Sequence, residues 1–137
     1  MSEHTLDSVT EAELLKSARL VQANAYAPYS RFNVGAALLT SDGETITGCN
    51  VECASYGSSM CAERNAIAKA VSMGKRDFVA VAVVTDGPSP TPPCGACRQV
   101  LAEFSPDMLV VFSNGKGTVK STIAELLPHR FDAKQLP

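Results

Sequence analysis

Three cysteines and a glutamate stand out in two short segments, Cys61-Ala62-Glu63 and Pro93-Cys94-Gly95-Ala96-Cys97. Thiolates are zinc ligands, and three of them leave the fourth tetrahedral position open, as a catalytic site requires and a structural site does not. An ion so held makes water a nucleophile near neutral pH. Glu63, two residues after Cys61, falls on a different side of a helix and can meet that water without joining the ligands. The pattern implies one Zn2+ per chain, held by Cys61, Cys94 and Cys97, with Glu63 as proton shuttle.

Such ligands must be brought together by helix starts. Cys94 and Cys97 stand at i and i+3 in the first turn of a helix, where Cβ atoms lie roughly 5–6 Å apart and two sulfurs can share an ion. Cys61 opens another helix, predicted over residues 61–73, with Ala62, Ala66, Ile67, Ala70 and Val71 on one face and Gly74 as its stop. Helix N-termini carry partial positive charge and unpaired N–H groups, which favour thiolate over thiol at all three positions. Three thiolates and one dication still leave a net negative charge, and thiolate donation makes the ion a weaker acid for its water. Arg64 and Arg98 each follow a ligand segment, so either guanidinium is expected to hydrogen-bond a ligand sulfur and withdraw charge, Arg64 more than Arg98.

Residues 10–25 place Leu14, Leu15, Ala18, Val21, Gln22 and Ala25 at helical spacing, with Thr10 and Glu13 as a capping box, and Pro28 ends the run. Residues 34–40 and 44–51 read as a β-hairpin across Asp42-Gly43. Residues 78–85 (FVAVAVVT) are nearly all apolar, the pattern of a central strand buried on both faces. A proline-rich loop over 86–93 delivers the chain to Cys94, and helical spacing follows over 97–104. Strands over 109–113 and 117–120, joined at Asn114-Gly115, precede a brief helix over 122–127 stopped by Pro128. The order α-β-β-α-β-α-β-β-α implies a mixed five-stranded sheet with helices on both faces, a three-layer α/β/α sandwich. Both ligand-bearing helices follow strands, so their N-termini converge at one edge of the sheet as one composite site.

At 137 residues, with 45% hydrophobic and 19% charged, the chain suits one domain over 1–137 with a flexible start over 1–9. A net charge of −2 gives no electrostatic footprint for nucleic acid or an anionic membrane, and no apolar stretch approaches a membrane span. The polar, acidic N-terminus lacks the features of a signal peptide. A cytoplasmic, reducing compartment is expected, in which five cysteines, an odd number, read as ligands and buried thiols rather than disulfides. Cys49 and Cys53 are the spare thiols, expected to be small buried hydrophobes. His4 is expected in a floppy start and His129 in an exposed loop.

The zinc segments match the H-x-E…P-C-x-x-C signature of zinc nucleobase deaminases in its three-cysteine form. Tyr26-Ala27-Pro28-Tyr29-Ser30-Arg31-Phe32, Val34-Gly35-Ala36-Ala37, Gly48-Cys49-Asn50-Val51-Glu52, Cys97-Arg98-Gln99 and Leu126-Leu127-Pro128 extend the likeness over residues 25–131. In these the chain resembles free-nucleoside cytidine deaminases of the all-cysteine, homotetrameric kind. The resemblance implies hydrolytic deamination of cytidine and 2′-deoxycytidine to uridine and 2′-deoxyuridine with release of ammonia, in pyrimidine salvage. It implies that Asn50 and Glu52 hold the ribose 3′-hydroxyl and that the Ala62 N–H binds the pyrimidine O2. The carbonyls near Pro92 and Cys94 would take the leaving amino group, and Phe32 and Phe131 would stack on the base. It also implies a homotetramer with shared active sites, in which Phe131, Tyr56 and Ala54 reach a neighbouring subunit's pocket. Cys53 departs from the family's usual Asn-x-Glu-Asn and cannot make an amide's hydrogen bonds. Pro92 is also unusual in its place, but it keeps the carbonyl the site uses.

Other readings weigh less. A redox-active Cys-x-x-Cys needs neither a third cysteine nor an adjacent glutamate. A closed four-cysteine zinc site would recruit Cys49 or Cys53 and leave Glu63 solvated, yet such sites commonly use two Cys-x-x-Cys pairs and this chain has one. By default Phe32, Tyr56 and Phe131 are core or interface aromatics, Arg64 and Arg98 are surface ion-pair residues, and Asn50 and Glu52 share a solvated strand face. Deamination of nucleotides or polynucleotides lacks a basic cluster for phosphates. A cytosine-containing antibiotic nucleoside suits Asn50-x-Glu52 less well than a plain ribose does.

Overall fold

Asp7, rather than Thr10, starts the first helix. The structure, a computed structural model, describes residues 6–137, so His4 and most of the start expected to be flexible lie outside the described residues. Helix α1 spans Ser8–Gln22, and the Asp7 carboxylate accepts from the Thr10 N–H at 2.7 Å. Aspartate is among the strongest N-caps and its charge suits the positive helix end. Thr10 thus becomes the third helical residue, and the box expected at Thr10 and Glu13 is not used. Leu14, Ala18 and Gln22 are the buried face.

Strands β1 (Gly35–Thr40) and β2 (Thr45–Cys49) form the expected antiparallel hairpin, with Gly43 at φ 89° in its turn. Then follow α2 (Ala62–Ser72), β3 (Phe78–Val84), α3 (Gly95–Phe104), β4 (Leu109–Ser113), β5 (Thr118–Thr122) and α4 (Ile123–Leu126). The last strand runs further than residues 117–120 because Thr122 is both its end and the N-cap of α4, in a capping box with Glu125. Two 3-10 turns, Tyr56–Ser58 and Ala133–Gln135, had no periodic signal to announce them.

The five strands lie in the order β2-β1-β3-β4-β5, parallel between β3 and β4 and antiparallel elsewhere. Along β3, Val81 and Val83 face one side and Ala80, Ala82 and Val84 the other, the period of two that a pleated strand imposes. On the valine side, Ala66 and Ile67 of α2, Leu101 of α3 and Ile123 of α4 complete one core with Leu38, Ile46 and Val110. On the alanine side α1 packs, through Leu14 and Ala18 against Ala37, Ala80 and Ala82. The result is the three-layer α/β/α sandwich.

Small residues set the spacing of these layers. A Cβ on Gly35 would lie 2.0 Å from the Ala18 carbonyl oxygen, and one on Gly48 would lie 2.5 Å from both the Ala62 oxygen and the Ala66 nitrogen. Only glycine lets α1 and α2 approach the hairpin this closely. Gln22 adds a polar tie: its Nε2 donates to the Asn33 carbonyl at 3.0 Å and to Asp86 at 3.1 Å, while Arg19 donates to its Oε1 at 2.6 Å. It joins α1 to the loop before β1 and to the loop after β3 that carries Cys94.

β2 and β3 each run antiparallel to β1, hence in the same direction, and Gly35 pairs with the last residue of each, Cys49 and Val84. The chain leaves both strands at one end of the sheet, on its way to α2 and α3. Among the described residues no helix is long and apolar enough to cross a membrane.

Candidate metal and catalytic centre

Cys61 and Cys94 are the N-cap residues of α2 and α3, and Cys97 follows in the first turn of α3. Neither sulfur caps a backbone N–H of its own helix, so both can turn toward each other. The Cys61 and Cys94 sulfurs are 3.8 Å apart, those of Cys94 and Cys97 3.4 Å, and all three lie within 4.8 Å of one another. Zinc–sulfur bonds of about 2.3 Å at tetrahedral angles separate sulfurs by roughly 3.8 Å. The trio fits that ion with small adjustment.

Neither Cys49 nor Cys53 joins it; among the described residues this is the one group of three or more metal-ligating side chains. A closed four-cysteine site is thereby removed. All five cysteines are free. The burial expected for the spare pair is corrected: Cys49 is half-buried at the end of β2, and Cys53 is exposed where the chain bends into the Tyr56–Ser58 turn. There the Cys53 N–H donates to the Ser59 hydroxyl at 3.0 Å.

Like charges this close cannot coexist uncompensated. Cys61 is drawn down to about 5, first by a hydrogen bond from the Cys97 thiol and then, against its own burial, by Arg64 and Cys94. Cys97 is pushed up, mainly because it is the donor to Cys61 and further by burial. Between these two sulfurs, proximity outweighs the helix dipole at Cys97. A dication among the sulfurs removes the conflict and lets all three ionise, the chemistry of a metal site.

Arg64 reaches Cys61 Sγ at 3.6 Å through one terminal nitrogen, and its own charge is further favoured by that contact. Its Nε is buried with no hydrogen-bond partner among the described residues. Replacing Arg64 with Gln is expected to weaken zinc binding by about 10–100-fold, the usual cost of losing a residue that supports a ligand. Competition with a chromophoric chelator measures it, and an unchanged affinity would deny Arg64 that part. Arg98 departs from expectation. Its guanidinium donates to the Pro93 and Leu126 carbonyls, each at 2.8 Å, rather than to a sulfur. It ties the loop before Cys94 to the end of α4.

Glu63 is only 4% exposed, and burial above all pushes its carboxyl up to about 7, with the Cys61 thiolate adding to the effect. A carboxyl poised there can both give and take a proton near neutral pH. It lines a cavity of about 250 Å³ with Cys61, Ala62, Pro92 and Cys94 from the ligand segments, the polar Ser30, Asn50 and Glu52, and Phe32, Val34, Val83, Thr85 and Thr91. Ala62 opens α2, where backbone N–H groups have no acceptor within the helix.

Asn50 and Glu52 sit beyond the end of β2, and both are engaged. Asn50 accepts from the Val34 N–H and donates to the Phe32 carbonyl, each at 2.8 Å. Glu52 accepts from the Tyr29 and Ser30 N–H groups at 3.1 Å and from the Ser30 hydroxyl, which leads in holding its carboxyl below the ordinary value. The pair therefore fixes the 29–34 segment, including Phe32 and Arg31, whose φ of 60° is left-handed. Each side chain keeps lone pairs or an N–H for a further partner. The sequence reading missed Ser30, Val34, Val83, Thr85 and Thr91 as cavity walls. Ser30 and Val34 belong to segments that carry the family likeness, whereas Val83, Thr85 and Thr91 carry no signal apart from the fold.

Ala54, Tyr56 and Phe131 do not line this cavity. Ala54 is exposed; Tyr56, 73% exposed, meets Tyr29 edge to face at 5.8 Å; and the carbonyl of the exposed Phe131 accepts from Gln99 at 2.7 Å. His129 is exposed, as expected.

A family model described as the cytidine and deoxycytidylate deaminase zinc-binding region matches residues 8–113, which include all three cysteines and Glu63. The chain belongs to this deaminase family. It is 54% identical to the cytidine deaminase of Halalkalibacterium halodurans over 90% of this chain and 95% of that one. With the cytidine deaminase of Sporosarcina psychrophila it shares 48% over 90% and 93%. The crystal structure of cytidine deaminase from Burkholderia pseudomallei superposes with a TM-score of 0.85 at 47% identity, covering 88% of this chain and 98% of that one. As a member of the deaminase family the chain is a hydrolytic deaminase, and its cysteine trio fits one zinc per chain.

Proposed function

We propose that this enzyme converts free cytidine and 2′-deoxycytidine to uridine and 2′-deoxyuridine with release of ammonia, in pyrimidine salvage in the cytoplasm. The observation that carries the reading is one cavity lined by Cys61 and Cys94 of the cysteine trio, by the buried carboxyl of Glu63 and by Asn50 and Glu52. Among the described residues neither Lys nor Arg lines it, which favours the nucleoside over a nucleotide whose phosphate would need a cation.

Cys61, Cys94 and Cys97 would hold zinc, which when bound supplies activation of water. Glu63 takes one proton from the attacking water and gives it to ring N3 as the oxygen bonds to C4. It then takes the second from the new C4 hydroxyl and gives it to the amino group, which leaves as ammonia while C4 becomes the carbonyl of the product. The Ala62 N–H accepts no such traffic; it donates to O2 and fixes the ring, while Asn50 and Glu52 take the 3′-hydroxyl and Phe32 stacks on the base.

Active sites shared within a homotetramer complete the reading. Tyr26, Tyr29, Val51, Tyr56 and Met60 are exposed and linked, Val51 pairing with both Tyr26 and Met60, an apolar surface that supports burial against further copies. Phe131, Tyr56 and Ala54 would then enter a neighbour's cavity.

Loss of cytidine absorbance, with zinc content and sedimentation measured on the same sample, tests the proposal. The expected result is turnover of both nucleosides, one zinc per chain and a particle of four chains. A protein carrying one zinc per chain that leaves both nucleosides intact would end the enzymatic reading.

A further inference from the structure

Thr85 follows β3 with its side chain fully buried, and a buried hydroxyl needs partners. Its Oγ1 accepts from the Gly87 N–H at 3.2 Å and lies 3.1 Å from Thr91 Oγ1, which is 3.3 Å from the Ser89 carbonyl. Both threonines line the cavity. A Cβ on Gly87 would lie 3.2 Å from Thr91 Oγ1, 3.4 Å from Phe32 Cε1 and 3.5 Å from Thr85 Oγ1, so the hydroxyl pair and the Phe32 ring edge both border Gly87. With Thr85 donating to Thr91 and Thr91 donating to Ser89, the Thr91 oxygen keeps a lone pair for an incoming donor.

A pyrimidine with C4 at the cysteines and its sugar at Asn50 and Glu52 has two long edges. Ala62 and Glu63 of α2 take the edge with O2 and N3. The other edge, C5 and C6, is left to the remaining walls of the cavity, to which the loop leading to Cys94 contributes Thr91 and Pro92. With the carbonyls near Pro92 and Cys94 taking the amino group at C4, Thr91, the residue before Pro92 and a wall of the same cavity, is the side chain we assign to C5.

We propose that Thr91, held by Thr85, reads the substituent at C5 of the pyrimidine; this deepens the deaminase reading and rests on it. The hydroxyl accepts a hydrogen bond from a donor carried at C5, and the polar wall disfavours an apolar group of equal size. The natural pair of probes is 5-hydroxymethylcytidine and 5-ethylcytidine, which have the same number of heavy atoms. The readout is the ratio of their kcat/KM values in one preparation.

Wild type is expected to prefer the hydroxymethyl compound about tenfold, the size of one neutral hydrogen bond. Thr91→Val is expected to bring the ratio near unity, and Thr91→Ser, which restores a hydroxyl, to keep it within about twofold of wild type. Should Thr91→Val fold poorly by thermal melting, Thr91→Ala removes the same oxygen without added bulk. A ratio unchanged in Val or Ala, or lost equally in Ser, overturns the proposal, since a merely structural defect slows both compounds alike. Wild type that deaminates cytidine but neither probe also overturns it. A wild type inactive on cytidine itself overturns the deaminase reading and this one with it.

Discussion

Glu63→Gln is expected to retain one zinc per chain and to lose about 10⁴-fold in kcat/KM for cytidine, the upper end of what a positioned acid–base group contributes. The amide has the shape of the carboxyl, so the cavity and the α2 helix start are preserved. It cannot carry a proton from water to N3 or from the new hydroxyl to the amino group, so both transfers fail together. Because Glu63 is nearly fully buried and burial is what raises its carboxyl to about 7, a neutral amide there avoids the cost of a desolvated charge. The melting temperature should therefore not fall, which separates a chemical defect from a folding one. Metal analysis, thermal melting and turnover on one sample decide the matter. An active variant would exclude Glu63 as the proton carrier, and a variant without zinc would mean that the carboxyl helps to hold the metal.

The metal centre was legible because its information is local. Two helix starts each announce themselves within a few residues, and the ligand types are chemically selective, so Cys61, Cys94 and Cys97 could be named before any fold was known. The hairpin was legible from Asp42-Gly43 and the central strand from seven apolar residues in β3. What was not legible depends on residues distant in sequence. Arg98 follows Cys97 directly, yet its guanidinium goes to Leu126, twenty-eight positions on, because α4 docks beside α3. Asn50 and Glu52 looked like an open strand face but are bonded to the 29–34 segment, a contact no periodicity encodes. Gln22 falls on the apolar face of α1 by spacing, and only the return of the chain at Asn33 and Asp86 explains why a polar residue is buried there. The cap expected at Thr10 lies instead at Asp7, whose carboxylate accepts from the Thr10 N–H.

Gly48→Ala is expected to cost about 1–3 kcal/mol of stability, as overpacking of a rigid contact does, and at least about 100-fold in activity per folded molecule. The added methyl would meet the Ala62 carbonyl and the Ala66 N–H, both at 2.5 Å and both backbone atoms of α2. No rotamer change relieves such a contact, so β2 and α2 must separate. α2 begins with Ala62 and Glu63 immediately after Cys61, and a shift of about 1 Å there moves a ligand, the proton carrier and the O2-binding N–H together, while Cys94 and Cys97 stay on α3. Gly43→Ala serves as the contrast. Gly43 has a φ of 89° with nothing within 4 Å of an added Cβ, so alanine there strains the hairpin turn by about 1–2 kcal/mol without pushing on any helix. Both variants should melt earlier than wild type, but only Gly48→Ala should also lose activity at temperatures where it remains folded. Equal specific activity in the two, normalised to folded protein, would show that the close approach of β2 to α2 serves packing alone and does not set the position of the catalytic centre.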